Sequence, residues 1–216
     1  MSFINFKPWV GKEYFTRGFQ GERLLVLGES HYCINELAKN GRCFPLCKKA
    51  NMDNNCFSIT QDVIHEAIYK YEGEPYQRTF LCFERAMLGK VLTQAESESF
   101  WQSVMFYNYL QYSQNAPRTT PQSEHWAESE KAFIELLEIY SPDKIIVWGV
   151  RLYNYLHHFN CKDYKLIVSG NDSAEVRTIL LNGQNIPALK IIHPSCPRGK
   201  NWKYWHKIIS KFLEQK

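Results

Sequence analysis

Two hydrophobic periods alternate along this chain. Short blocks of consecutive apolar residues, of strand length, are separated by longer stretches in which apolar positions recur every three or four residues. Arg23 to Leu27 is the first block, a short buried strand closed by Gly28. Ser58 is placed to cap a helix whose apolar positions are Ile59, Val63, Ile64, Ala67 and Ile68. A second helix is expected around Phe80 to Leu88, and a second strand over Ser103 to Tyr107. Ser113 to Pro121 reads as a loop. Thr120 followed by Pro121 marks the start of a helix to Tyr140, with Trp126, Phe133, Leu136, Leu137 and Tyr140 on its buried side. Ser141-Pro142-Asp143 breaks that helix. Lys144 to Trp148 is the third strand, and Gly149 leads into a short helix through Leu152 and Leu156.

Lys165 to Ser169 reads as another strand. Val176 to Leu181 and Ile186 to Ile192 flank Asn182-Gly183, a turn signal that leaves the loop length open. The last helix starts near Asn201, with Trp202, Trp205, Ile209 and Phe212 at core spacing and Lys203, Lys207 and Lys211 on another face. Strands alternating with helices predict an α/β fold, a three-layer α/β/α sandwich with a mostly parallel central sheet. The 216 residues suit a single domain, 1–216, interrupted by an irregular Cys-rich insertion at about 33–57.

Three of the apolar blocks end in polar motifs: Gly28-Glu29-Ser30-His31-Tyr32, Asn108, and His193-Pro194-Ser195. Strand ends are where an α/β sheet presents its chemistry, so the three are expected to line one cleft. An Asn amide carries a donor and an acceptor and can read a ligand edge that presents both. A His at a strand end can donate to an oxyanion that develops on a leaving group. A carboxylate can stabilise a developing cation or orient a water; Glu29 is the first candidate and His31 the second. Each motif also has an ordinary structural use, as a turn cap or a hydrogen bond within a loop.

Composition changes this picture little. Hydrophobic residues make up 44% and charged residues 22%, as in a globular protein. No apolar run reaches membrane-spanning length, and the N-terminus lacks the pattern of a signal peptide, so a cytoplasmic protein that does not enter the membrane is expected. The seven cysteines are then thiols or metal ligands rather than disulfides. Net charge is only +4, but from Lys190 onward there are seven Lys or Arg against one acid, Glu214. A basic tail beside the proposed cleft can hold phosphates or can be a plain solvated helix face. At 15%, aromatic residues leave some free to stack on bases.

Taken together, the motifs resemble the uracil-DNA glycosylase superfamily. In its iron–sulfur branch the order is GEAPG, a strand ending in TNVVKCRPP, a proline-led helix, a strand like PKVIVALG, and HPS. The run FYNYLQYSQNAPRTTPQSEHWAESEKAFIELLEIYSPDKIIVWG and the tail KIIHPSCPRG are similar to its middle and final parts. The resemblance covers roughly residues 23–30 and 103–213. It implies that Gly28 and Glu29 belong to the water site, that Asn108 reads the base, that His193 is catalytic, and that Ser195 contacts DNA phosphate. Arg198 and Lys200 fall in the loop that enters the duplex, Arg198 to fill the vacated space and Lys200 to hold a phosphate. Tyr32 matches the Tyr of the classical GQDPYH motif, while Ser30 stands where that motif has Asp. Phe44 and Phe57 lie where the family places its stacking Phe, and Phe57, next to a helix start, is preferred.

The branch's cluster cysteines are not matched; Tyr112 replaces one of them, and no iron–sulfur cluster of that type is expected. Cys33, Cys43, Cys47 and Cys56 of the insertion are a candidate tetrahedral zinc site, or else four unlinked thiols. The expected activity is that of a monofunctional, cofactor-independent DNA glycosylase acting, as a monomer, on single- or double-stranded DNA at uracil or a related damaged base. The altered first motif keeps two alternatives in play: a non-catalytic nucleic-acid- or nucleotide-binding module on the same fold, and a hydrolase of free nucleosides.

Overall fold

A run such as Leu24–Gly28, apolar at every position, can be buried on both sides only in the middle of a covered sheet. The computed structural model places it there. The structure describes residues 2–32, 54–114, 119–195 and 201–215. In chain order the elements are β1 (Trp9–Val10), β2 (Leu24–Gly28), α1 (Asn54–Tyr69), α2 (Pro75–Leu88), α3 (Gln94–Ser103), β3 (Met105–Asn108) and α4 (Ser123–Tyr140). They continue with β4 (Lys144–Trp148), α5 (Val150–Tyr155), β5 (Cys161–Ser169), β6 (Asp172–Leu181), β7 (Gln184–Ile191) and α6 (Trp202–Leu213).

The fold is mixed α/β around a seven-stranded sheet ordered β1-β3-β2-β4-β7-β6-β5. Successive strand residues point to opposite faces. Leu24 and Val26 therefore join one apolar cluster, with Ile64 of α1, Phe83 of α2, Trp101 of α3 and Ile209 of α6. Leu25 and Leu27 join the other, with Phe133 and Leu136 of α4 and Leu152 of α5. Helices thus cover both faces of the central strands.

Parallel pairing is confined to β3, β2, β4 and β7. β1, β6 and β5 run antiparallel to their neighbours, so the sheet is less parallel than the alternation of periods predicts. For β5 and β6 the reason lies in two hairpins. Asn182 and Gly183, at φ 48° and 80°, form a two-residue turn between β6 and β7, where the strand twist favours positive φ at both positions. Gly170 does the equivalent between β5 and β6, where Ser169 pairs with Asp172.

Several helix boundaries also differ from expectation. α1 begins at Asn54, so Ser58 lies within it and its hydroxyl donates to Asp62 one turn later rather than capping the helix. Residues 54–57 accordingly leave the irregular insertion. α2 starts at Pro75, where Gln77 Oε1 accepts from the backbone of Glu72 and Glu74. α3 was not foreseen. Its start is a reciprocal cap in which Thr93 Oγ1 accepts from Glu96 N and Glu96 Oε2 accepts from Thr93 N. Ser103 therefore ends a helix, and the strand begins at Met105. α4 begins at Ser123 rather than Pro121, and Tyr140 on it is half-buried. No described helix is long and apolar enough to cross a membrane.

Candidate active site at the carboxyl ends of the sheet

The parallel strands β2, β3, β4 and β7 all end at the same edge of the sheet. Gly28 and Asn108 are register partners there. The pairing continues beyond the strands: Tyr109 N donates to Gly28 O at 2.9 Å, Leu110 N to Glu29 O at 2.9 Å, and Gln114 N to His31 O at 2.8 Å. Tyr32 forms a parallel bridge to Gln114. The first and second motifs are therefore held side by side by backbone. Gly28 is required sterically, since a Cβ there would come within 2.2 Å of Asn108 Oδ1.

Asn108 is buried, with 8% of its surface exposed. Its Nδ2 lies 3.2 Å from Nδ1 and 3.3 Å from Nε2 of His31. Among the described residues no donor reaches Oδ1. Gln111 braces the strand end from beneath: its Nε2 donates to Asn108 O, and its Oε1 accepts from the backbone of Asn5 and Phe6. His31 is only 4% exposed. Its Nε2 lies 2.9 Å from Thr60 Oγ1, and its ring packs against that of Phe6 at 4.6 Å. Burial pushes its pKa down to about 3, so the ring is neutral. His31 is thus a buried, neutral ring packed against the Asn108 amide.

Glu29 does not stand free either. Arg151 Nε donates to its Oε2 at 2.9 Å and Nη2 to its Oε1, while Nη2 also reaches Thr119 O at 3.2 Å. The chain leaves β2 toward β3 on one side and leaves β4 toward β5–β7 on the other. The crevice between the ends of β2 and β4 is therefore a topological switch point, the usual place for a ligand in such a sheet. The Glu29–Arg151 pair bridges it.

His193 follows β7. Ser195 N donates to its Nδ1 at 3.4 Å, and Ser195 Oγ lies 2.9 Å from the same nitrogen. An accepting Nδ1 puts the ring proton on Nε2. Burial lowers the His193 pKa, against an opposing contribution from the negative charge of Glu29. The result is a neutral imidazole whose Nε2–H is a donor. Its ring meets the Trp148 ring edge-on at 5.8 Å.

Of the remaining expected site residues, Tyr32 is 42% exposed beside Gln114, Ser195 is exposed and tied to His193, and Phe57 is half-buried in α1. Arg198, Lys200, Phe44, Cys33, Cys43 and Cys47 lie outside the described residues, as does the Cys56 side chain. Among the described residues no three metal-binding side chains cluster. Lys203, Lys207 and Lys211 are exposed along α6. Arg151, Thr60, Phe6 and Gln111 were not anticipated. Arg151, Thr60 and Phe6 act on residues far away in the chain, and Gln111 ties Asn108 to the distant Asn5 and Phe6, relations that periodicity does not register.

No family model matches the chain, and no curated protein matches it.

Proposed function

We propose that this protein is a DNA glycosylase that hydrolyses the N-glycosidic bond of uracil or a related damaged base, on a three-layer α/β/α fold of the uracil-DNA glycosylase kind. The observation that carries the reading is the convergence of an amide acceptor, a carboxylate and a neutral imidazole donor from the ends of β3, β2 and β7. In this reading Asn108 Oδ1 accepts from the N–H of a flipped base. His193 Nε2–H donates to the base oxygen that gains negative charge as the bond to C1′ breaks. Glu29 faces the positive charge that develops on the sugar, and water supplies hydroxide to C1′ and a proton to the base.

One observation favours a second reading. Glu29 is engaged by both prongs of Arg151, so its charge is neutralised and its oxygens occupied. That suits a module that binds a nucleotide or nucleic acid without cleaving it, with Arg151 available to an incoming phosphate. Base release from oligonucleotides that the protein binds separates the two: free base appearing only with intact Asn108 and His193 supports the glycosylase, and tight binding without release supports the module.

A further inference from the structure

The Asn108 amide is nine-tenths buried, with Nδ2 engaged and Oδ1 without a donor among the described residues. Nδ2 lies against the His31 ring nitrogens, and Oδ1 lies beside Gly28, at the position a Cβ would claim. Amides turn over readily unless a neighbour distinguishes oxygen from nitrogen, and here the neighbour is His31. Nδ2 is almost equidistant from the two ring nitrogens and so lies over the ring face, whose electron density attracts an N–H and repels a carbonyl oxygen. The ring is held by Thr60 Oγ1 and by the Phe6 ring, and its backbone by the 2.8 Å bond from Gln114 N to His31 O.

We infer that His31 is a positioning residue that determines which base edge Asn108 accepts, by holding Nδ2 and leaving Oδ1 without a donor among the described residues. The inference rests on the base-excision reading for its consequence, not for the contact itself. An acceptor that no protein donor satisfies selects a base edge that carries an N–H. It rejects cytosine, whose corresponding ring nitrogen is itself an acceptor. A buried polar atom left facing another acceptor is costly, which is what gives such a contact its selectivity. His31 touches neither base nor sugar; it acts only through Asn108.

The test uses the full chain as wild type, His31→Leu, His31→Gln and Thr60→Val, with two readouts. The first is hydrogen exchange of the Asn108 side-chain amide by NMR, assigned by its disappearance in Asn108→Asp. The second is the ratio of single-turnover release from uracil and cytosine in one oligonucleotide context. His31→Leu is expected to speed the exchange and to reduce the ratio by about tenfold each, the worth of one buried hydrogen bond. His31→Gln, whose carbonyl oxygen can accept from Nδ2, is expected to retain both. Thr60→Val frees the ring from its hydroxyl partner and moves both readouts the same way by a smaller factor, which decides the matter if the leucine variant does not fold. Unchanged exchange in a folded His31→Leu or Thr60→Val protein overturns the inference. A wild type that releases no base overturns the excision reading instead, and the exchange readout still decides the role of His31.

Discussion

Glu29 and Arg151, 122 residues apart in the chain, meet as a two-pronged ion pair across the crevice between β2 and β4. The geometry is good, but the Arg151 side chain is 43% exposed, and solvent screens a pair of that kind. A double-mutant cycle with Glu29→Gln and Arg151→Gln, followed by urea unfolding, is expected to give a coupling of about 0.5–1 kcal/mol. A coupling of several kcal/mol would mean that the pair is a structural tie rather than one a ligand can open.

Gly28 is a point of close backbone approach. Placing a methyl group 2.2 Å from Asn108 Oδ1 forces the amide out of its place. Gly28→Ala is expected to cost about 1–3 kcal/mol of stability, in the range of an overpacked core. Its base-release defect should match that of Asn108→Ala. Melting temperature and single-turnover rate together check this, and full activity in a stable Gly28→Ala protein would refute it.

His31 makes stability depend on acid. Its folded-state pKa is about 3, against an ordinary value of 6.5. Above pH 6.5 both folded and unfolded chains carry the neutral ring, and nothing is lost. As the pH falls below 6.5 the unfolded chain takes up a proton that the folded chain cannot. Stability therefore declines through that window and levels off near pH 3, after a loss on the order of 5 kcal/mol. His31→Gln should flatten this part of the pH–stability curve relative to the wild type. Parallel curves for the two proteins between pH 4 and 6.5 would contradict the assignment.

Glu84 on α2 works in the opposite direction. Only 2% exposed, it accepts from Ser97 Oγ at 2.6 Å and from Trp101 Nε1 at 3.1 Å, which fastens α2 to α3. Burial raises its pKa above the ordinary 4.5. In the window above 4.5 the unfolded chain releases the proton first, so the group's contribution falls as pH rises. Glu84→Ala leaves the Trp101 N–H without its acceptor and is expected to cost about 2–3 kcal/mol. Glu84→Gln, which can still accept, should cost less and should lose the pH dependence. Denaturant titrations at pH 5 and pH 8 measure both effects.

The elements that were legible in the chain are those whose own residues carry the pattern. Lys144–Trp148 and Leu24–Gly28 are apolar throughout, and α6 presents Trp205, Ile209 and Phe212 at helical spacing. α3 was not legible, because its buried side is Ser97, Phe100, Trp101 and Ser103, with only two adjacent apolar residues and no period. Its Thr93–Glu96 cap was the one usable signal. β5 was foreseen only from Lys165, since Lys162 and Lys165 interrupt the apolar run and the pairing slips between them. At the site, Gly28, Glu29, Asn108 and His193 stood out because each follows an apolar strand. What each one touches did not: Arg151 neutralises Glu29 and Thr60 anchors His31 through contacts 122 and 29 residues apart.

The most direct test of base excision is single-turnover release of free base from oligonucleotides carrying uracil, hypoxanthine, xanthine or hydroxymethyluracil, single- and double-stranded. Wild type, Asn108→Ala and His193→Ala are run side by side. The wild type is expected to release base from at least one substrate, with release lost in Asn108→Ala and slowed by about a hundredfold or more in His193→Ala with DNA binding retained. Release that survives both substitutions, or no release from DNA that the wild type binds, would contradict it.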